Sequence, residues 1–77
     1  MNKTRRSEIV KLKAKFDDLK SELESLLDQE QEYFDNIPEN LQSSERYSAS
    51  ESAVDALESA VSDLESVIDN LNTSIEN

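Results

Sequence analysis

Arg46 is the residue whose sequence neighbours best suit the binding of an anion. It is the only cation after residue 20, it precedes Tyr47, and Tyr33 lies across a polar connection from it. A guanidinium group can fork onto a phosphate while a tyrosine ring stacks on a base. The nearby amide and hydroxyl side chains that we include in the same candidate site are Asn36, Ser43 and Ser44. The alternative interpretation is that all these residues only cap and pack the end of a helical element.

A second group of cations occupies the first twenty positions. Residues 1–20 carry seven basic and three acidic side chains, a net charge of +4, whereas residues 21–77 carry one basic and 15 acidic side chains, a net charge of −14. The cations that we include as candidates for contact with an anionic ligand or partner are Arg5, Arg6, Lys11 and Lys13. The alternative is that the basic end pairs with acidic residues late in the chain, for example Lys15 with Asp69 and Lys20 with Glu65.

Several classes of chemistry are excluded because the chain contains no cysteine, histidine or glycine. Nucleophile pairs with histidine, Cys/His zinc sites, disulfides and glycine-rich phosphate loops all need those residue types. We therefore expect no enzyme activity, no catalytic residues, no bound metal and no cofactor. No apolar run exceeds two residues, so no membrane-spanning segment is expected, and the expected location is the cytoplasm.

Two heptad patterns indicate the elements that position these side chains. The predicted contact seam of the first helix follows spacings of three and four through Ile9, Leu12, Phe16, Leu19, Leu23, Leu26 and Tyr33. Glu30 interrupts it, and this carboxylate either reaches water or forms a buried pair, for which Arg46 is the candidate partner. The predicted seam of the second helix runs through Val54, Leu57, Val61, Leu64, Ile68, Leu71 and Ile75. Beside it runs a second stripe formed by Ala49, Ala53, Ala56, Ala60 and Val67.

The predicted fold is all-α, a single antiparallel two-helix hairpin that resembles a coiled coil. Helix 1 is expected at about 4–36, with Asn2 or Thr4 as its cap. The connection is expected at about 37–47, and helix 2 at about 48–75. One seam between two helices buries little apolar surface, so we expect the second stripe to pack against other copies in a homo-oligomer.

Local signals refine the connection. Pro38 ends the first helix and opens a short helical turn that is predicted to run to Leu41. Ser48 and Glu51 form a capping box that predicts the start of helix 2. Ser44 offers a competing start one turn earlier.

The connection resembles a recurrent segment of small bacteriophage helical-hairpin proteins. Residues 30–46 read EQEYFDNIPENLQSSER, and an acidic helix with the pattern A-V-x-x-L-x-x-A-V-x-x-L follows at 53–64. The hairpin is similar to that of the phage anti-CBASS and anti-Thoeris sponge proteins, over most of residues 7–72. Glycine often follows the arginine in those proteins, whereas Tyr47 follows it in this chain.

This resemblance implies an assembly of hairpins, with hexamers among the expected forms. It implies that the assembly sequesters a cyclic oligonucleotide or an ADP-ribose-type immune signal without cleaving it. Arg46 would then contact phosphate, and Tyr33 or Tyr47 would stack on a base. A phage-encoded sponge would act in the cytoplasm of the host cell.

Two other functions fit the same sequence. The charge of −14 over residues 21–77 suits an acidic inhibitor that imitates nucleic acid, of the anti-CRISPR kind. The heptads alone suit a structural coiled-coil subunit of a larger assembly. We do not expect direct DNA or RNA binding or membrane binding, because the net charge of −10 opposes both.

Overall fold

The computed structural model describes residues 1–76, which form two long helices and a short connection. Helix α1 spans Lys3–Asp35, a 3-10 helix spans Glu39–Leu41, and helix α2 spans Glu45–Ile75. No strand occurs in this part of the chain. The two long helices pack on each other, which confirms the predicted all-α helical hairpin.

Helix α1 is capped at both ends by asparagine. The side chain of Asn2 accepts a hydrogen bond from the backbone N–H of Arg5 at 2.7 Å, as one of the two expected caps. At the other end, the side chain of Asn36 donates to the carbonyl of Glu32 at 2.8 Å. The backbone N–H of Asn36 reaches the same carbonyl at 3.1 Å. These bonds occupy groups that a helix end otherwise leaves unpaired, so α1 stops at Asp35.

Pro38 turns the chain out of α1. Its φ of −58° and ψ of 147° are extended, and its carbonyl accepts from the N–H of Leu41 at 2.9 Å. This bond closes the short helical turn that the sequence predicts. No residue from 1 to 76 takes a positive φ, so the connection is made without the conformations that favour glycine.

Helix α2 begins three residues before the predicted start at 48. Ser44 is its cap, and the Ser44 Oγ accepts from the N–H of Tyr47 at 3.2 Å. The prediction of a start at the Ser48–Glu51 capping box is therefore wrong, and the competing start is right. Both serines satisfy the same local rule, but a start at Ser44 adds a turn that brings Tyr47 onto Phe34 of α1.

The contact seam of α2 follows the predicted heptad. Val54 and Ile68 are 5% and 8% exposed, and the other five predicted seam residues are half-buried. The pattern extends upstream through buried Ser50 and half-buried Tyr47. Apolar burial along one stripe is therefore what holds this helix to α1.

The predicted seam of α1 is wrong at every second apolar position. Leu12, Leu19, Leu26 and Tyr33 are 44%, 51%, 54% and 44% exposed. The seam passes instead through half-buried or buried residues, namely Arg6, Ile9, Lys13, Phe16, Lys20, Leu23, Leu27, Glu30, Phe34 and Ile37. The spacing of three and four residues is retained. At every second position, however, the half-buried residue is the one that directly follows the predicted apolar residue.

Packing at the connection explains this rotation. The rings of Phe34 and Tyr47 lie with their centroids 4.8 Å apart, and Ile37 is only 4% exposed. These large apolar residues hold the Phe34 side of α1 against α2. Lys13 and Lys20 then fall on the seam, where long side chains can bury their methylene groups and keep the ammonium at the rim.

The hairpin is a thin rod. Its Cα trace measures 60 × 14 × 13 Å, and the only buried apolar residues from 1 to 76 are Ile37, Val54 and Ile68. The two groups of candidate residues identified in the sequence therefore lie toward opposite ends of the rod. Arg46 lies beside the connection, and Arg5 lies in the first turns of α1.

Candidate functional site

The structure joins Arg46 to Tyr33 at the connection end of the hairpin. The Arg46 Nε–H donates to the Tyr33 hydroxyl at 2.5 Å, and the guanidinium carbon lies 5.2 Å from the centre of the Tyr33 ring. Both side chains are exposed. A guanidinium held over a ring through Nε still has its two terminal nitrogens available as donors. This pair is the strongest candidate for contact with an anion.

Tyr47 has a different place from the one predicted for a stacking residue. It is half-buried, and its ring packs on Phe34 at an interplanar angle of 39°. Its backbone N–H is also used by the Ser44 cap. Tyr47 therefore supports the base of the site, whereas Tyr33 has the more exposed ring.

Two of the predicted polar candidates have structural roles. Asn36 caps the end of α1 through Glu32, and Ser44 caps the start of α2 while its Oγ–H donates to the carbonyl of Leu41. Ser43 is exposed within the connection between them. Capping fixes the shape of the connection and so positions Arg46, which is the second residue of α2.

Glu30 has a partner that the sequence did not suggest. The Glu30 carboxylate accepts a hydrogen bond from the Ser50 Oγ–H at 2.9 Å, and Ser50 is 4% exposed. Of the two alternatives for Glu30, the buried pair with Arg46 is therefore wrong, because Arg46 contacts Tyr33 instead. The useful signal was the heptad position of Ser50, which lies four residues before Val54 on the seam.

The four basic candidates of α1 do not form one patch. Arg6 and Lys13 are half-buried along the seam, whereas Arg5 and Lys11 are exposed. Lys13 pairs with Asp17 at 3.7 Å, one helical turn later. Because these cations face different sides of the helix, they offer an anion fewer joint contacts than their sequence proximity indicates.

A shallow groove lies along the outer side of the first turns of α1. Its lining residues are Lys3, Thr4, Ser7, Glu8 and Lys11. Of the predicted basic candidates, only Lys11 contributes to it. All the lining residues belong to one helix, so the groove has no opposing wall that could enclose a ligand.

One predicted pairing between the basic end and the acids of α2 is present. The Lys20 Nζ lies 3.4 Å from the Glu65 carboxylate, across the seam. Lys15 is exposed, and so is its proposed partner Asp69. Pairs as exposed as Lys20–Glu65 contribute up to about 1 kcal/mol to stability.

Neither a metal site nor a membrane span stands out in residues 1–76. No group of three or more acidic side chains there is arranged to hold a metal ion. No helix in this part of the chain is long and apolar enough to cross a bilayer. Comparison with known proteins found no matching family model, no matching curated protein and no matching solved structure.

Proposed function

We propose that this chain is a binding protein that sequesters a small anionic nucleotide as a homo-oligomer, without catalysis. The observation that carries the proposal is the Tyr33–Arg46 pair. It places a guanidinium and an exposed aromatic ring together, which is the chemistry that recognises a phosphate beside a base.

The resemblance of residues 30–46 to the phage sponge hairpins supports the same proposal, since both members of the pair lie in that segment. The ligand class is then a cyclic oligonucleotide or an ADP-ribose-type signal. The chain would blunt an immune signal in the cytoplasm of a host cell.

Calorimetric titration tests the proposal directly. The purified chain is titrated with cyclic dinucleotides, cyclic trinucleotides and cyclic ADP-ribose isomers. We expect one of these ligands to bind, and Arg46→Ala to weaken its binding by at least about tenfold, which corresponds to the loss of a charge-assisted hydrogen bond.

Two variants serve as matched controls. Glu58→Gln changes an exposed charge about 18 Å along α2 from Arg46, so it should leave the affinity unchanged. Arg46→Lys keeps the charge but loses the planar fork, so it should restore only part of the affinity. The proposal fails if the folded chain binds none of these ligands.

A second candidate function is an acidic inhibitor that imitates nucleic acid. One side of the rod carries exposed acids at seven-residue spacing on each helix, and they are Asp17, Glu24, Glu51, Glu58 and Glu65. Such a mimic would capture a nucleic-acid-handling enzyme and would release it in about 0.5 M salt, where the Debye length falls below 5 Å. If the captured enzyme stays bound both in high salt and in the presence of competing duplex DNA, imitation of nucleic acid is contradicted.

A further inference from the structure

One side of the hairpin is an exposed apolar face. On α1 it carries the residues that miss the seam, and these are Leu12, Leu19, Leu26 and Tyr33. They recur every seven residues, so they form a straight stripe along one side of the helix. These apolar side chains are 44–54% exposed and lie in one row, unlike the single apolar residues that are normally scattered over a protein surface.

The stripe of small residues on α2 lies on the same side. The Tyr33–Arg46 contact shows which positions of the two helices share this side. Residues seven positions before Tyr33 on α1 and seven positions after Arg46 on α2 share this side, so Leu26 lies opposite Ala53. A second step of seven residues on each helix places Leu19 opposite Ala60. One further step places Leu12 opposite Val67, which is 37% exposed. Ala49 and Ala56 are also exposed and border the same row.

The other side of the rod is charged. Its helix positions carry the acids Asp17, Glu24, Glu51, Glu58 and Glu65, and its one exposed apolar residue of large size is Val10. Over residues 1–76 the hairpin therefore has a single apolar side, and the alanines of α2 would let another helix approach closely there.

We propose that this apolar face is the docking surface for a second copy of the chain, with the two connections at opposite ends. The inference deepens the proposed function, which calls for self-association without assigning a face. Its tests measure assembly alone, so a failure of pairing and a failure of nucleotide binding are read separately.

The size of the face suits a pair of copies. The rod is 60 Å long and 14 Å wide, so one side covers about 840 Å², against about 800 Å² per partner in a standard interface. The stripe on α1 is also evenly spaced about a midpoint between Leu19 and Leu26. Reversal of a second copy therefore aligns Leu19 with Leu26 and Leu12 with Tyr33, so in the assembled pair the Tyr33–Arg46 site borders the α1 helix of the other copy.

Charge complementarity favours the reversed orientation. Residues 1–20 carry a net charge of +4, and the remainder of α1, residues 21–35, carries six acids and no cation. Two α1 helices that pack in opposite directions place each basic half on an acidic half. Pairing in the same direction would instead bring together two connection ends, residues 28–51, each with a net charge of −6.

The first test removes the apolar face. Sedimentation velocity should show the unchanged chain as a dimer, or as a multiple of a dimer, at micromolar concentration. Leu19→Gln combined with Leu26→Gln should weaken association by at least about a hundredfold, because these leucines would be buried in both copies. The matched control Val10→Gln changes an equally exposed apolar residue on the charged side and should leave association unchanged.

The second test measures orientation with variants that keep every leucine. The chain contains no cysteine, so single exposed positions beside the stripe can be cross-linked by oxidation. A mixture of Lys15→Cys and Gln29→Cys chains should give the mixed disulfide dimer in at least about fivefold excess over either like dimer. Circular dichroism confirms that each variant is folded.

Three results would overturn the inference. A folded chain that stays monomeric at about 100 μM has no such interface, because a standard interface binds more tightly than this. An equal loss of association in Val10→Gln would place the interface elsewhere. A preferred mixed dimer of Lys15→Cys with Asp63→Cys would show that α1 packs on α2 of the other copy, with both connections at the same end.

Discussion

Glu30 places a carboxylate on the seam of α1, and a hydrogen bond from Ser50 stabilises it there. The hydrogen bond of 2.9 Å joins two residues that a heptad would normally fill with apolar side chains. It lies one helical turn from the Phe34–Tyr47 packing and next to Tyr33–Arg46. At the scale of single residues, the connection end is thus a small polar cluster supported by two rings.

Ser50→Ala should lower the free energy of unfolding by about 1.5 kcal/mol, because the half-buried carboxylate loses a hydrogen bond to a charged group. Glu30→Leu combined with Ser50→Ala should recover that loss or exceed it, since both polar partners are then replaced by apolar groups on the seam. Urea denaturation at one fixed protein concentration measures both variants. Ser52→Ala, at an exposed position of the same helix, is the control. An unchanged stability in Ser50→Ala would show that the hydrogen bond contributes nothing.

At the scale of the helices, the ends and the seam follow different rules. The ends depend on caps, and a cap is a local feature that the sequence displays. Two equivalent caps compete at the start of α2, and packing of Tyr47 on Phe34 selects Ser44. The seam depends on which side of α1 meets α2, and no local feature selects it.

Ser44→Ala should destabilise the hairpin by about 1 kcal/mol, the usual effect of losing a serine cap. Ser48→Ala should change stability by less than about 0.5 kcal/mol, because this residue is exposed inside the helix. The two thermal unfolding curves, recorded at equal concentration, give the comparison. The reverse order would mean that α2 starts at Ser48 in solution.

Lys20→Leu should raise the free energy of unfolding by about 1 kcal/mol, even though it breaks the ion pair with Glu65. The pair is partly exposed, so its contribution is at most about 1 kcal/mol, whereas a leucine on the seam gains about 1.5–3 kcal/mol by burial. Chemical denaturation at high and low salt measures the effect. Lys11→Leu places the same residue at an exposed position and should give no gain. A loss of stability in Lys20→Leu would show that the ion pair dominates.

The hairpin has a larger solvent-accessible surface than a compact monomer of the same mass. Its accessible area is 5646 Å², and a compact monomer of 8.7 kDa would expose about 4,700 Å². The excess follows from the rod shape and from the apolar face that neither helix covers. A single thin seam gives the isolated hairpin little stability, so association and folding should be linked.

The midpoint of thermal unfolding should therefore rise by at least about 5 °C when the chain concentration rises from about 2 to 200 μM. Leu19→Gln combined with Leu26→Gln should abolish this dependence. Differential scanning calorimetry or circular dichroism at several path lengths measures it. A midpoint that does not move with concentration would show that the monomer folds on its own and that the linkage is absent.

The sequence by itself determined the two helices, their antiparallel connection and the seam of α2, because the caps, the proline and the heptad spacing are local features. It also indicated Arg46 as an exceptional cation. The tertiary structure alone decided which side of α1 is buried, and it decided that Ser50 meets Glu30 while Tyr33 meets Arg46. The physical reason is that α1 carries two stripes one residue apart with the same spacing, and the buried one includes Lys13 and Lys20 whereas the exposed one carries leucines at the corresponding positions. Only contact with α2 separates the stripe that forms the seam from the one left exposed as the apolar face.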